Sequence, residues 1–168
     1  MYKVFGFCLL IVIGYIQSSY ANEKIAFVNI DKIINQSEFG KKSFKKIDTN
    51  FKKEKEKLIK IEKALISKEQ EILKQKNILS EEELKNKISS LKKEIDEFQK
   101  KRISVREKFN KEKLDKTNEM VDKLNSILSK FADENQISLI IQKKFIVIGK
   151  SSLDITDKIL DIFNKEVK

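Results

Sequence analysis

The strongest pattern in the chain is a series of apolar residues spaced seven apart within a long polar segment. Its members are Phe44, Phe51, Leu58, Leu65, Ile72 and Leu79. Residues 37–131 contain one glycine and no proline, and most other positions carry Lys, Glu, Asp, Asn, Gln or Ser. A helix with so narrow an apolar stripe cannot bury itself in a globular core. The pattern therefore predicts a long helix that pairs along its length with another helix.

A second apolar series follows directly and predicts the partner helix. Its members alternate at spacings of three and four, interrupted only by Arg102: Leu84, Ile88, Leu91, Ile95, Phe98, Val105 and Phe109. Ser80 and Glu83, between the two series, have the spacing of a capping box, which starts a new helix. We therefore predict an antiparallel hairpin over residues 37–131, with its tip around 76–82. The alternative is one uninterrupted helix of about 95 residues in an intermolecular rod.

The first 21 residues have the features of a secretory signal peptide. Lys3 precedes a thirteen-residue, mostly apolar run from Val4 to Ile16, and small residues precede a cleavage site after Ala21. Thirteen residues are short for a bilayer span, which needs about twenty, so an uncleaved anchor is the less favoured alternative. The pattern predicts export and release of residues 22–168.

Short β-branched runs on both sides of the hairpin predict three strands, at residues 24–30, 137–141 and 145–149, the last two forming a β-hairpin. A short helix is expected after the first strand, with Asp31 as its N-cap, and a final helix from Asp154 onward. The predicted fold is α+β, with the long antiparallel helical hairpin inserted in a small β-rich body. That body consists of residues 22–36 and 132–168.

A body of about 50 residues buries too little apolar area to be stable alone. The single cysteine, Cys8, lies in the predicted signal peptide, so no disulfide can compensate in the released chain. Oligomerisation is the available remedy, and a monomer is the alternative. The candidates for contacts between subunits are Ile25, Phe27, Ile30, Leu139, Ile141, Phe145 and Val147.

The charge of the chain is strongly positive, at +10, and it is concentrated on the predicted hairpin. Residues 37–131 carry 27 Lys and Arg against 18 Asp and Glu, whereas the rest of the released chain is balanced. A basic surface attracts acidic partners, although the lysines can also be read as merely solubilising a long helix. Nucleic acid is not an expected partner, because the basic residues alternate with acidic ones, no aromatic platform accompanies them, and the chain is expected to be exported.

The residue types argue against an enzyme. The chain has no histidine, and the predicted released chain has no cysteine. The usual metal ligands, the cysteine nucleophile and the usual general base are therefore missing. We predict no catalytic residue, no metal site and no cofactor.

Over its whole length the chain resembles the Skp (OmpH-like) periplasmic chaperones of Gram-negative bacteria. The resemblance is carried by KIAFVNID at 24–31, the turn SEFGK at 37–41, the charge-rich hairpin, and the ending with ISLII, FIVIG and SSLDIT. It implies a jellyfish-like homotrimer in which the strands form a shared central β-barrel and three hairpins surround a cavity. It also implies an ATP-independent holdase that keeps unfolded outer-membrane β-barrel proteins from aggregating in the periplasm. Family members have been associated with lipopolysaccharide, so lipopolysaccharide or an anionic membrane surface is a candidate partner, although no motif assigns it to named residues.

Weak apolar contact with an unfolded client would come from hairpin residues that lie beside the two apolar series. The candidates are Ile59, Ile66, Leu73, Ile78 and Ile103. Weak, scattered contacts suit a holdase, because the client must be released without nucleotide. Two other interpretations remain: an exported coiled-coil tether, and a binder of anionic polymers.

Overall fold

The structure is a computed structural model that describes residues 23–168, a long helical hairpin joined to a small mixed body. The predicted signal peptide lies outside the described residues. In chain order the elements are β1 (Lys24–Val28), α1 (Ile30–Gln36), α2 (Glu38–Gln75), α3 (Glu81–Asn135), β2 (Ile137–Gln142) and α4 (Thr156–Glu166). Short 3-10 turns occupy Lys143–Phe145 and Ser151–Leu153. No helix within 23–168 is long and apolar enough to span a membrane.

The two long helices form the antiparallel hairpin that the sequence predicts. The Ser80 hydroxyl accepts a hydrogen bond from the Glu83 N–H at 3.3 Å, and the Glu83 carboxylate accepts from the Ser80 N–H at 3.0 Å. This capping box satisfies two backbone donors at the start of α3. A single uninterrupted helix is therefore excluded. At ~1.5 Å per residue, α3 spans about 80 Å and α2 about 55 Å.

Polar side chains share the seam of the hairpin with apolar ones. On α2 the covered positions are the predicted series from Phe44 to Ile72, together with a second set three residues later: Ile47, Glu54, Ile61, Lys68 and Gln75. On α3 the predicted seam residues Leu91 and Phe98 are buried. The hairpin is thus a coiled coil whose seam is interrupted by polar layers.

Two predicted seam residues of α3 lie outside the seam: Ile88 is 51% exposed and Ile95 38% exposed. The preceding residue takes the seam position in each case. Glu94 accepts a hydrogen bond from Lys68 across the hairpin, and Lys87 donates to the Gln75 side chain at 2.9 Å. The prediction was wrong here because these cross-helix polar contacts turn Lys87 and Glu94 towards α2 and leave the isoleucines beside the seam.

The sheet has two strands in the described residues, and β1 pairs with β2 in parallel, with Phe27 opposite Ile141. Parallel strands need a long crossover connection, and the helical hairpin is part of it. The predicted third strand at 145–149 is not formed. Directly after β2 the chain enters the 3-10 turn at Lys143–Phe145 instead of a hairpin turn, so it does not return along the open edge of β2. The chain continues to the other edge of β1, where the Ile155 N–H donates to the Phe27 carbonyl at 3.0 Å and an isolated bridge joins Phe27 to Asp154.

Helices contribute most of the body, which is mixed rather than β-rich. The core combines β1, α1, the base of α3 and the C-terminal segment, through Ala26, Val28, Ile33, Ile34, Met120, Leu124, Ile127, Ile155, Ile159, Phe163 and Val167. Because the base of α3 belongs to this core, the body and the hairpin share one helix. The N-cap of α1 is Asn29 rather than the predicted Asp31, since the Asn29 side chain accepts from the Lys32 N–H at 2.9 Å.

A tight joint connects α1 to α2 and sets where the hairpin leaves the body. Ser37 is fully buried, and its hydroxyl accepts from the Gly40 N–H at 3.1 Å. The Glu38 N–H donates to the Asn164 side chain at 2.9 Å, which ties the start of α2 to α4. A Cβ on Gly40 would lie 1.8 Å from the Ile34 carbonyl oxygen. Only glycine fits this approach of the two helices.

Candidate functional site

Within residues 23–168 no cluster of His, Cys, Asp or Glu could hold a metal ion. The features that stand out are exposed apolar side chains, on the hairpin and on the body. Large exposed apolar residues grouped on one surface commonly mark interaction sites. We therefore describe these two surfaces as the candidate site.

All five predicted client-contact residues are exposed: Ile59, Ile66, Leu73, Ile78 and Ile103. Ile78 lies in the turn at the tip of the hairpin and is 84% exposed. Ile103 lies on α3, further round the helix from the seam than the other candidates. The remaining three are spaced seven apart on α2, each directly after a half-buried or buried seam residue.

The register of the hairpin brings two further isoleucines to the same flank. Three cross-helix contacts, Phe51–Phe109, Lys68–Glu94 and Gln75–Lys87, establish which residues lie level with each other. By this register Leu73 is level with Ile88, and Ile66 is level with Ile95. In an antiparallel helix pair, these positions lie on one flank of the seam. We call this set, Ile59, Ile66, Leu73, Ile88 and Ile95, the apolar stripe.

Sequence reasoning missed Ile88 and Ile95 because it placed them in the seam. One signal could have found them: Lys68 and Glu94 are opposite charges, and an antiparallel register that makes them face each other displaces Ile95 from the seam. The stripe thus has three residues that the sequence singled out and two that it did not.

Lysine contacts keep several hairpin carboxylates ionised. A side-chain hydrogen bond from Lys57 lowers the pKa of Glu54, and one from Lys68 lowers the pKa of Glu94. Hydrogen bonds from Lys116 and Lys123 lower the pKa of Glu119. These carboxylates stay charged beside their lysines, and residues 37–131 keep a surplus of nine positive charges.

The predicted subunit-contact residues of the body divide into two groups. Phe27 is buried inside the chain, where Gly149 packs against its ring, and Ile30 and Ile141 are half-buried. The exposed group is Ile25, Leu139, Phe145 and Val147, and the structure adds Ile148 and Leu153 to it. We call this exposed group the apolar body surface. Val147 is 97% exposed and Ile148 92% exposed, which is unusual for two consecutive β-branched residues.

These features define a class of protein: a charged coiled-coil hairpin on a small mixed α and β body. The family model for outer membrane protein (OmpH-like) matches residues 24–163, so the chain belongs to the OmpH-like family. This confirms the resemblance drawn from the sequence.

The fold is also similar to a crystal structure of a proposed outer membrane chaperone (OmpH-like) from Caulobacter crescentus CB15. The TM-score is 0.80 with 15% sequence identity, and the match covers 92% of each chain. A likeness at this identity concerns the fold. Comparison with curated protein sequences finds no significant match.

Proposed function

We propose that the chain is an ATP-independent periplasmic holdase that binds unfolded outer-membrane β-barrel proteins and prevents their aggregation. The observation that carries this proposal is the apolar stripe on a basic hairpin. Membership of the OmpH-like family and the fold shared with a proposed outer membrane chaperone support it.

The spacing of the stripe suits an extended, unfolded client. Residues seven apart on a helix are about 10 Å apart, so successive isoleucines can meet apolar side chains along one client segment. Strands of outer-membrane barrels alternate apolar and polar residues over about ten residues. Burying the exposed part of one isoleucine contributes on the order of 1 kcal/mol. Several such contacts hold a client, and each is weak enough to be released without nucleotide.

The charge of the hairpin would act before these contacts form. A surplus of positive charge on residues 37–131 raises the rate at which acidic chains reach the hairpin, most of all at low ionic strength. The same charge favours a second candidate partner, an anionic lipid surface such as one containing lipopolysaccharide.

The working form is proposed to be a homotrimer held together by the apolar body surface. An exposed strand edge is a template for pairing with another chain, and β2 pairs on one edge only within the described residues. Exposed Phe145, Val147 and Ile148 follow β2 directly. Pairing between copies would cover these residues and give the 145–149 segment the strand partner that it lacks in one chain. The number of three rests on the family resemblance.

A coiled-coil tether fits the structure less well. Both helices return to one body, whose core includes the base of α3. A hairpin of this kind presents a surface on both helices, whereas a tether needs two separated ends.

The test uses the purified released chain, residues 22–168. Gel filtration with light scattering should give the mass of a trimer. A urea-unfolded outer-membrane barrel diluted into buffer without ATP should stay clear in the presence of this chain. A monomeric mass would contradict the assembly, and turbidity at a several-fold trimer excess would contradict the holdase function.

A further inference from the structure

A cleft of about 320 Å³ opens between α2 and α3 in the half of the hairpin nearer the body, away from the apolar stripe. Two stacked phenylalanine rings contribute its apolar wall. The ring centroids of Phe51 and Phe109 are 4.1 Å apart, with 25° between the ring planes. Ile47 and Val105 complete the apolar lining.

The cleft exists because an apolar layer is missing from the seam. Glu54 occupies the seam position next to the stacked rings. Its carboxylate forms an ion pair with Lys57, with 2.6 Å between Glu54 Oε1 and Lys57 Nζ. The other lining positions include two short side chains, Asn50 and Ser104. No large side chain therefore fills the space between the helices.

The rim of the cleft carries Lys53, Lys57 and Lys108. Other lysines of the hairpin lie over phenylalanine rings: Lys113 is 5.4 Å from the centroid of Phe109, which also lines the cleft, and Lys123 is 5.0 Å from that of Phe39. Neither Lys53 nor Lys108 lies over a ring in the described part of the chain. An aromatic guest would offer them such a ring face.

We propose that this cleft binds an aromatic side chain of an unfolded client, tryptophan above all. This inference rests on the proposed holdase function. A dry apolar cavity of about 150 Å³ accepts benzene, so the cleft is large enough for an indole. Outer-membrane barrels carry girdles of aromatic residues at both membrane interfaces, so the proposed client class supplies such side chains.

Hydrogen bonding and ring stacking favour an aromatic guest over the alkyl chain of an anionic amphiphile. The cleft is lined by three lysines and two glutamates, Glu54 and Glu112, so its charges nearly cancel and give an anionic headgroup little attraction. An indole N–H, in contrast, can donate to a carboxylate. The stacked rings add a preferred geometry for another aromatic ring, which an alkyl chain does not use.

The absence of tryptophan from the chain makes the test direct, because all indole fluorescence comes from the probe. The probe is N-acetyl-tryptophanamide, titrated with the released chain in its native assembly. We expect a saturable blue shift with a dissociation constant on the order of 1 mM. N-acetyl-leucinamide should not compete for the site.

Two variants locate the binding. Ser104→Met extends a flexible side chain into the cleft and should weaken the binding about ten-fold. The matched control Ser126→Met, on the same helix and outside the cleft, should leave it unchanged. Replacing Lys53 and Lys108 by Gln should weaken it about three-fold, whereas the same change at exposed Lys60 and Lys63 should not.

The inference is overturned by a linear, non-saturable fluorescence response, or by binding that Ser104→Met does not weaken. Decanoate binding that is blocked by Ser104→Met, with no binding of the tryptophan probe, would show an amphiphile site instead. Circular dichroism checks the fold of each variant, and Asn50→Leu fills the cleft from α2 if Ser104→Met disturbs α3. The probe assay contains no client, so its failure would leave the holdase proposal standing. Turbidity with the wild-type chain would contradict the holdase proposal, and with it a client as the source of the aromatic guest, but not the aromatic binding that the probe measures.

Discussion

Replacing Gly40 by alanine should destabilise the protein, against the usual direction for a glycine inside a helix. Gly→Ala in an exposed helix interior normally stabilises by about 1 kcal/mol. Here the new Cβ would lie 1.8 Å from the Ile34 carbonyl oxygen and 2.9 Å from the Ser37 hydroxyl. Backbone of α1 and α2 must therefore separate by more than an ångström, and overpacking of this kind costs about 1–3 kcal/mol.

The same movement would weaken the hydrogen bond from the Gly40 N–H to the buried Ser37 hydroxyl, which contributes about 1 kcal/mol. After the helix-propensity gain is subtracted, the expected net loss is about 1–3 kcal/mol, or roughly 3–10 °C in the melting temperature. Thermal melts followed by circular dichroism, at one fixed protein concentration, measure it. Lys41→Ala is the control, because its side chain is exposed one residue away, and it should change stability little. A Gly40→Ala variant as stable as the wild type would refute this account of the joint.

Three further predictions concern the hairpin. Replacing Ile66 and Ile95 together by Gln should lower the capacity to suppress client aggregation about five-fold in the turbidity assay, because two stripe contacts are lost. The control, Ser67→Gln with Asn118→Gln, should leave that capacity unchanged. The Ser80 hydroxyl lowers the pKa of Glu83 from its usual 4.5, so the capping box stabilises the tip above that pH and is lost as the pH falls through the lowered pKa. Amide hydrogen exchange at the start of α3 should therefore speed up in acid, and Glu83→Gln should remove this pH dependence. The rate of client association, measured by stopped flow, should fall as salt is added, and a salt-independent rate would contradict the electrostatic steering.

Local signals in the sequence were enough to predict the hairpin. The capping box joins Ser80 and Glu83, three residues apart, and the seven-residue series on α2 repeats within one helix. Neither depends on a distant part of the chain, so both survive in the structure. The joint at Gly40 is also visible in the sequence, as a lone glycine in a long helical segment. The close approach of the Ile34 carbonyl, which requires that glycine, is visible only in the structure.

The errors arose where a distant partner decides the outcome. Whether Glu94 or Ile95 takes the seam position on α3 depends on Lys68, which lies on the other helix. Whether 145–149 forms a strand depends on where the chain runs after β2, and here the segment at Asp154 pairs with β1, far back in the sequence, instead of returning along β2. The candidate site shares this limit: the sequence could single out Ile59, Ile66 and Leu73 on one helix, but not the residues that α3 adds beside them.

The central claim, that an unfolded client lies along the apolar stripe, is tested most directly by site-specific photo-crosslinking. A photoreactive phenylalanine analogue is placed at Ile66, on the stripe, or at Ala64, an exposed position on the opposite flank of α2. The chain is then illuminated with a urea-unfolded outer-membrane barrel diluted beside it. The account predicts a strong crosslink from position 66 and a weak one from position 64. Equal crosslinks from both positions, or a crosslink from position 64 alone, would contradict it.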